Sequence, residues 1–116
     1  MIPFAKISIT DIERNYISKA LDTNKICGDG EFTKKCNGWF KENCGIDNLL
    51  LTTSCTHSLE LAALLADLKE GDEALVPSYT FVSTADAILL RGAKPVFVDI
   101  DKRTFNMKIK KYFYSF

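Results

Sequence analysis

Apolar and polar positions divide this 116-residue chain into two amphipathic helical stretches, followed by an alternation of strands and helices. Ile12, Tyr16, Ile17, Ala20 and Leu21 recur at the three- and four-residue spacing of one helix face. Thr10 and Glu13 have the spacing of a capping box, in which each side chain satisfies the other's free backbone donor, so the first helix is predicted to start near Thr10. Thr23–Gly30 (TNKICGDG) reads as a loop with Gly28 and Gly30 as hinges. A second helix is predicted from about Glu31 to Cys44, with Phe32, Cys36, Trp39 and Phe40 as its apolar stripe. Gly45 stands where a left-handed C-terminal cap belongs.

The period then changes. Leu49–Thr53 (LLLTT) is a short continuous apolar run, as expected of a strand buried on both faces. Residues 57–68 (HSLELAALLADL) predict an alanine- and leucine-rich helix. Glu73–Val76 predicts a short strand stopped by Pro77. Thr80–Leu90 predicts another helix with Gly92 after it, and Pro95–Ile100 (PVFVDI) a β-branched strand. This β-α-β-α-β order implies an α/β fold with a parallel sheet. Three parallel strands leave edges and faces that need cover. The tail, Lys108–Phe116 (KIKKYFYSF), has no helical period. It reads either as an edge strand at Tyr112-Phe113-Tyr114 or as a chain that stops before its domain does, and the second reading is preferred.

Composition narrows the function classes. The 15 lysines and arginines balance the 15 aspartates and glutamates, so no global charge draws the chain to nucleic acid or anionic lipid. The aromatics fall at core spacing rather than between basic residues, which also disfavours a nucleic-acid binder. No apolar run approaches the ~18 residues of a membrane span, and MIPFAKISITDIERN lacks the pattern of a secretory signal. A cytoplasmic protein is expected. Cys27, Cys36, Cys44 and Cys55 are too widely spaced for a structural zinc site, and His57 is the single histidine, so reduced thiols acting as small hydrophobes are expected. Cys55 and His57 are two apart and would face different directions on a helix, which disfavours a nucleophilic pair.

Two junctions are candidates for chemistry. In LTTSCTHS, Leu51–Ser58, a strand gives way to a helix through small polar side chains. Free N–H groups at a helix N-terminus favour an anion, and the hydroxyls of Ser54, Thr56 and Ser58 could add donors. Plain helix capping explains the same residues without a ligand and is the simpler account on the residues alone. The loop has neither G-x-G-x-x-G nor G-x-x-x-x-G-K-[ST]. In PSYTFVST, Pro77–Thr84, Tyr79 and Phe81 come directly after a strand end, where ligands of open α/β sheets bind. Phe81 could stack on a flat ring there, or pack under the next helix, the commoner fate of a phenylalanine.

The runs LLLTTSCTHSLELAALL and GDEALVPSYTFVSTADAILLRGAKPVFVDID strongly resemble the DegT/DnrJ/EryC1/StrS sugar aminotransferases, and KICGDGEFTKKCNGWF is most similar to their TDP-4-oxo-6-deoxyglucose branch. The resemblance runs from residue 1 to about 107. It implies the N-terminal part of the large domain of a type I, aspartate aminotransferase-like fold: an incomplete parallel sheet with flanking helices. It also implies pyridoxal 5'-phosphate as cofactor. On this resemblance Ser54, Cys55 and Thr56 would hold the cofactor phosphate and Phe81 would stack on its ring. Gly28, Asp29 and Gly30 would lie near the sugar-nucleotide pocket of a homodimer, and His57 receives no role.

The implied reaction passes an amino group from glutamate to a 4-oxo-6-deoxyhexose nucleotide. Its product would feed surface polysaccharides such as lipopolysaccharide or enterobacterial common antigen. The family's Schiff-base lysine lies in a serine- and phenylalanine-rich motif, and the aspartate that pairs with the pyridinium nitrogen lies in Asp-Ala-Ala. Neither motif occurs here. Residues 108–116 do not resemble the corresponding segment of family members, so a truncated, inactive product with an aberrant tail is expected. The alternative from another class is a non-catalytic α/β module that binds an anion or a partner, its open sheet edge favouring pairing with another chain.

Overall fold

A computed structural model of the chain describes residues 1–108. The elements are α1 (Asp11–Asp22), α2 (Glu31–Cys44), α3 (Cys55–Leu65), β1 (Glu73–Pro77), α4 (Ser83–Leu89) and β2 (Lys94–Val98). They fall into two compact units, Met1–Leu51 and a second that begins at Thr52.

In the first unit the predicted capping box is present. The Thr10 N–H donates to Glu13 Oε2 at 2.7 Å, the Thr10 hydroxyl bonds the same carboxylate, and the Ile12 N–H reaches Thr10 Oγ1. These bonds favour the ionised carboxylate: the Thr10 hydroxyl chiefly, then backbone N–H groups, hold Glu13 below its ordinary pKa. Gly45 ends α2 at φ +67°, the left-handed cap expected of it. The loop before α2 differs from expectation. Its left-handed residues are Asn24 (φ 51°) and Asp29 (φ 57°), whereas Gly30 is extended as the α2 N-cap. Asn and Asp tolerate this region because their short polar side chains bond locally, so the turn does not need its glycines as hinges. Tyr16 meets Phe32 edge-on, centroids 5.5 Å apart, linking α1 to α2. Neither helix buries a residue fully.

The second unit holds the core. β1 and β2 pair in parallel, Glu73 beside Lys94 through Pro77 beside Val98, with α4 as the crossover. The pairing continues as Ser78 N–H donates to the Val98 carbonyl at 2.9 Å, and Lys94 Nζ meets Glu73 Oε1 at 2.7 Å on the exposed side. Val76, Ile88 and Ala93 form the buried cluster, with Leu68 and Ala74 packed against it. Gly92 has φ +74°, and a Cβ there would stand 3.6 Å from the Glu70 backbone nitrogen. A glycine therefore suits both the turn and the approach.

Several boundaries depart from the sequence reading. Leu49–Thr53 is not a strand: Leu50 is 74% exposed and no ladder includes the run. An apolar run becomes a strand only when its N–H and C=O groups find a partner, and among the described residues the only sheet is β1-β2. α3 begins at Cys55, two residues earlier than predicted, and α4 covers only Ser83–Leu89. β2 ends at Val98, and Ile100 forms an isolated antiparallel bridge with Met107. The possible edge strand at Tyr112-Phe113-Tyr114 lies outside the described residues.

Stability and titration measurements can check this packing. Val76→Ala, at a side chain 1% exposed, should cost about 2 kcal/mol in urea denaturation, from lost methyl transfer plus a cavity. Exposed Val82→Ala should stay within about 0.5 kcal/mol, and equal effects would contradict the core assignment. Because the folded pKa of Glu13 is depressed, its contribution is present above the unfolded value of about 4.3 and is lost as pH falls through the folded one. A carboxyl NMR titration should therefore place Glu13 below that value, and Thr10→Ala should return it there.

Candidate functional site

The N-terminus of α3 is built from the residues 52–58. Ser54 is extended (φ −160°, ψ 161°), and its Oγ accepts the His57 N–H at 3.1 Å. In an α-helix the first N–H groups lack carbonyls four residues back. Ser54 caps the third of them, so those of Cys55 and Thr56 keep no helical acceptor. The Ser54 hydroxyl uses an oxygen lone pair in that cap and retains its proton for donation. Ser54 and Cys55 are exposed and Thr56 is half-buried.

The alternative of plain capping is thus realised at Ser54 without using up the donor set. Two uncapped amides beside the Ser54 hydroxyl at one helix end are donors of the kind that bind a phosphate, and Thr56 lines a pocket with Glu60, Asp86, Leu89 and Leu90. By that donor set the residues fit the phosphate of a pyridoxal cofactor.

The flanking side chains close on each other. Thr52 Oγ1 donates to the Ser54 carbonyl at 2.8 Å and lies 2.5 Å from Ser58 Oγ, while Thr53 Oγ1 lies 2.5 Å from His57 Nδ1. His57 therefore turns to Thr53, not to Cys55. All four cysteines are free and exposed, so they do not act as packed small hydrophobes.

After β1 the chain turns through Ser78–Thr80 into α4. Phe81 is 75% exposed, which overturns the reading that it packs under the next helix and leaves its ring accessible. Its carbonyl accepts the Thr84 N–H at 3.1 Å, and Thr80 Oγ1 bonds Thr84 Oγ1 at 2.8 Å, fixing the backbone on both sides of the ring. Tyr79 leans on Phe105, centroids 5.7 Å apart. Sequence reasoning did not pair these two aromatics. Phe105 gains its place from a turn in which Asp101 Oδ1 accepts the Arg103 and Thr104 N–H groups. Those two bonds hold the Asp101 carboxyl below its ordinary pKa. The aspartate three residues before Thr104 was the available signal for that turn.

In the first unit Gly28 and Asp29 are exposed and Gly30 is half-buried. Asp29 and Gly30, with Lys25, Glu31 and Lys34, line an open cleft of about 250 Å³. Glu31 lies below its ordinary pKa because it bonds Lys35 at 2.5 Å, which leaves Lys25 and Lys34 as the other cations there. Among the described residues no group of three or more His, Cys, Asp or Glu is placed to hold a metal ion. No helix among them is long and apolar enough to cross a membrane.

Ser54→Ala should lower stability by about 1 kcal/mol in thermal or urea melts, and Ser54→Gly by only a few tenths. No difference between wild type and Ser54→Ala would show that the serine does not cap α3.

Comparison with known proteins places this geometry in context. The chain is 33% identical over 108 residues to the GDP-perosamine synthase of Escherichia coli O157:H7, covering 93% of this chain and 30% of that protein. It is 35% identical over 99 residues to the GDP-perosamine synthase of Caulobacter vibrioides, covering 85% and 27%. The fold superposes on a solved GDP-4-keto-6-deoxymannose-3-dehydratase with a trapped PLP-glutamate geminal diamine, with a TM-score of 0.83 and 25% identity over 98% of this chain and 31% of that one. The chain thus spans less than a third of these relatives' length. The family and its solved neighbours imply pyridoxal phosphate as the cofactor. The sequence profile of the DegT/DnrJ/EryC1/StrS aminotransferases matches residues 8–112, and the chain belongs to that family.

Proposed function

We propose that this chain is the amino-terminal part of the large domain of a pyridoxal-phosphate sugar-nucleotide aminotransferase, the family match reaching residue 112. In this reading the Cys55 and Thr56 amides and the Ser54 and Thr56 hydroxyls hold the cofactor phosphate. Phe81 stacks on the cofactor ring, and the Gly28-Asp29-Gly30 loop borders the sugar nucleotide in a homodimer. The observation that carries the reading is the pair of N–H groups at Cys55 and Thr56 that the Ser54 cap leaves without a helical acceptor, in a chain of this family.

When bound, the cofactor supplies an electron sink for moving nitrogen between an amino acid and a carbonyl. This chain's residues bind and orient it. The amino donor is glutamate, and the acceptor is the oxo carbon of a 4-oxo-6-deoxyhexose nucleotide. The GDP-linked names of two relatives favour a guanosine nucleotide over the thymidine one that the KICGDGEF segment suggested. The product serves a surface polysaccharide, and the reaction is cytoplasmic. The 116 residues contain neither the family's lysine motif nor its Asp-Ala-Ala motif, so this chain alone binds the cofactor without a covalent bond and does not transaminate.

Borohydride treatment of the chain with pyridoxal 5'-phosphate should leave no adduct mapped to a single lysine, and one specific adduct would refute this reading. Thr56→Val should weaken cofactor binding about tenfold or more, the worth of one hydrogen bond to a charged acceptor. An unchanged affinity would remove Thr56 from the cradle.

A further inference from the structure

The side chains around the α3 turn are arranged in nested pairs. Thr52 bonds Ser58 and Thr53 bonds His57, so both pairs enclose Ser54, Cys55 and Thr56 symmetrically about Cys55. The inner pair is tied twice at its helix end, because the His57 N–H is also held by Ser54 Oγ. The run that enters the turn has no ladder to fix it, since Leu49–Thr53 is not a strand. These side-chain bonds are what hold its last residues against the helix.

We propose that His57, clamped through Nδ1 to Thr53, is a positioning residue that pre-organises the phosphate turn. The inference rests on the phosphate reading of Ser54-Cys55-Thr56 given above. An unclamped turn would spread over several backbone conformations, and an anion would have to select the one in which both amides converge. That selection lowers apparent affinity in proportion to the competent fraction. The clamp removes this loss before the ligand arrives. His57 suits the task for a geometric reason. It is the third residue of α3, so its backbone faces the cap while its ring reaches back four residues to Thr53. A shorter side chain there could keep the cap but not the second tie.

The test uses the 116-residue chain and inorganic phosphate, read by the amide NMR shifts of Cys55 and Thr56. Thr53→Val and His57→Phe, which remove the hydrogen bond with little change of shape, should each weaken phosphate about threefold to tenfold. Since one bond is broken in both, the double variant should be no weaker than either single one. His57→Gln, which can restore the bond, should lie within about twofold of wild type. Equal affinity in all variants, or additive losses in the double one, would overturn the role of His57. Wild-type amides that ignore phosphate would instead sink the phosphate reading, and this inference with it. A readout that needs no variant is the nuclear Overhauser contact between the Thr53 methyl and the His57 ring, whose absence in the unaltered chain would equally overturn the clamp.

Discussion

Two backbone N–H groups that the helix cannot use are the constraint on which the functional reading depends. α3 starts at Cys55, and the serine before it caps His57 rather than its immediate neighbours. The magnitudes show what such a turn can do. The helix dipole gives ~0.3–1 kcal/mol, and each hydrogen bond to a charged acceptor about 1.5–3 kcal/mol. Four donors therefore offer on the order of 6–12 kcal/mol, against an association cost of roughly 4–15 kcal/mol. On the proposed reading, such a turn would place a phosphate but would not by itself hold a coenzyme tightly. Ring stacking and a covalent link must supply the rest, and this sequence contains the aromatic Phe81 without the family's lysine motif.

The candidate turn belongs to the better-packed unit. Among the described residues, the seven buried hydrophobic ones, from Ala63 to Val98, lie after Thr52, and their centre is the Val76–Ile88–Ala93 cluster beneath the β1-α4-β2 crossover. Phe81 lies within that crossover, so its exposed ring rests on ordered backbone. Residues 1–51 are held differently, by a capping box, a left-handed glycine cap and an edge-on aromatic pair rather than by a buried core.

Much of this was legible in the chain. Thr10–Glu13, Gly45 and the apolar spacing of α1 and α2 are local signals, and local signals survive whatever surrounds them. The parallel pairing of β1 and β2 could also be read from alternation alone. Leu49–Thr53 departs from expectation because a strand is a relation between segments, and no periodicity reveals whether a partner is present. The loop before α2 departs because Asp29, not its glycine neighbours, takes the left-handed turn. At the site, the residue types allowed an anion but made plain capping the simpler account. Only the geometry shows that Ser54 caps the His57 amide and leaves those of Cys55 and Thr56 uncapped. The Thr53–His57 bond was invisible because residues four apart across a turn into a helix have no fixed distance until that turn is defined.

The sharpest test is a crystal structure of this chain soaked with pyridoxal 5'-phosphate. Phosphate oxygens should stand at hydrogen-bond distance, about 2.7–3.2 Å, from the Cys55 and Thr56 nitrogens. A cofactor bound elsewhere, with those two amides facing only water, would refute the phosphate cradle.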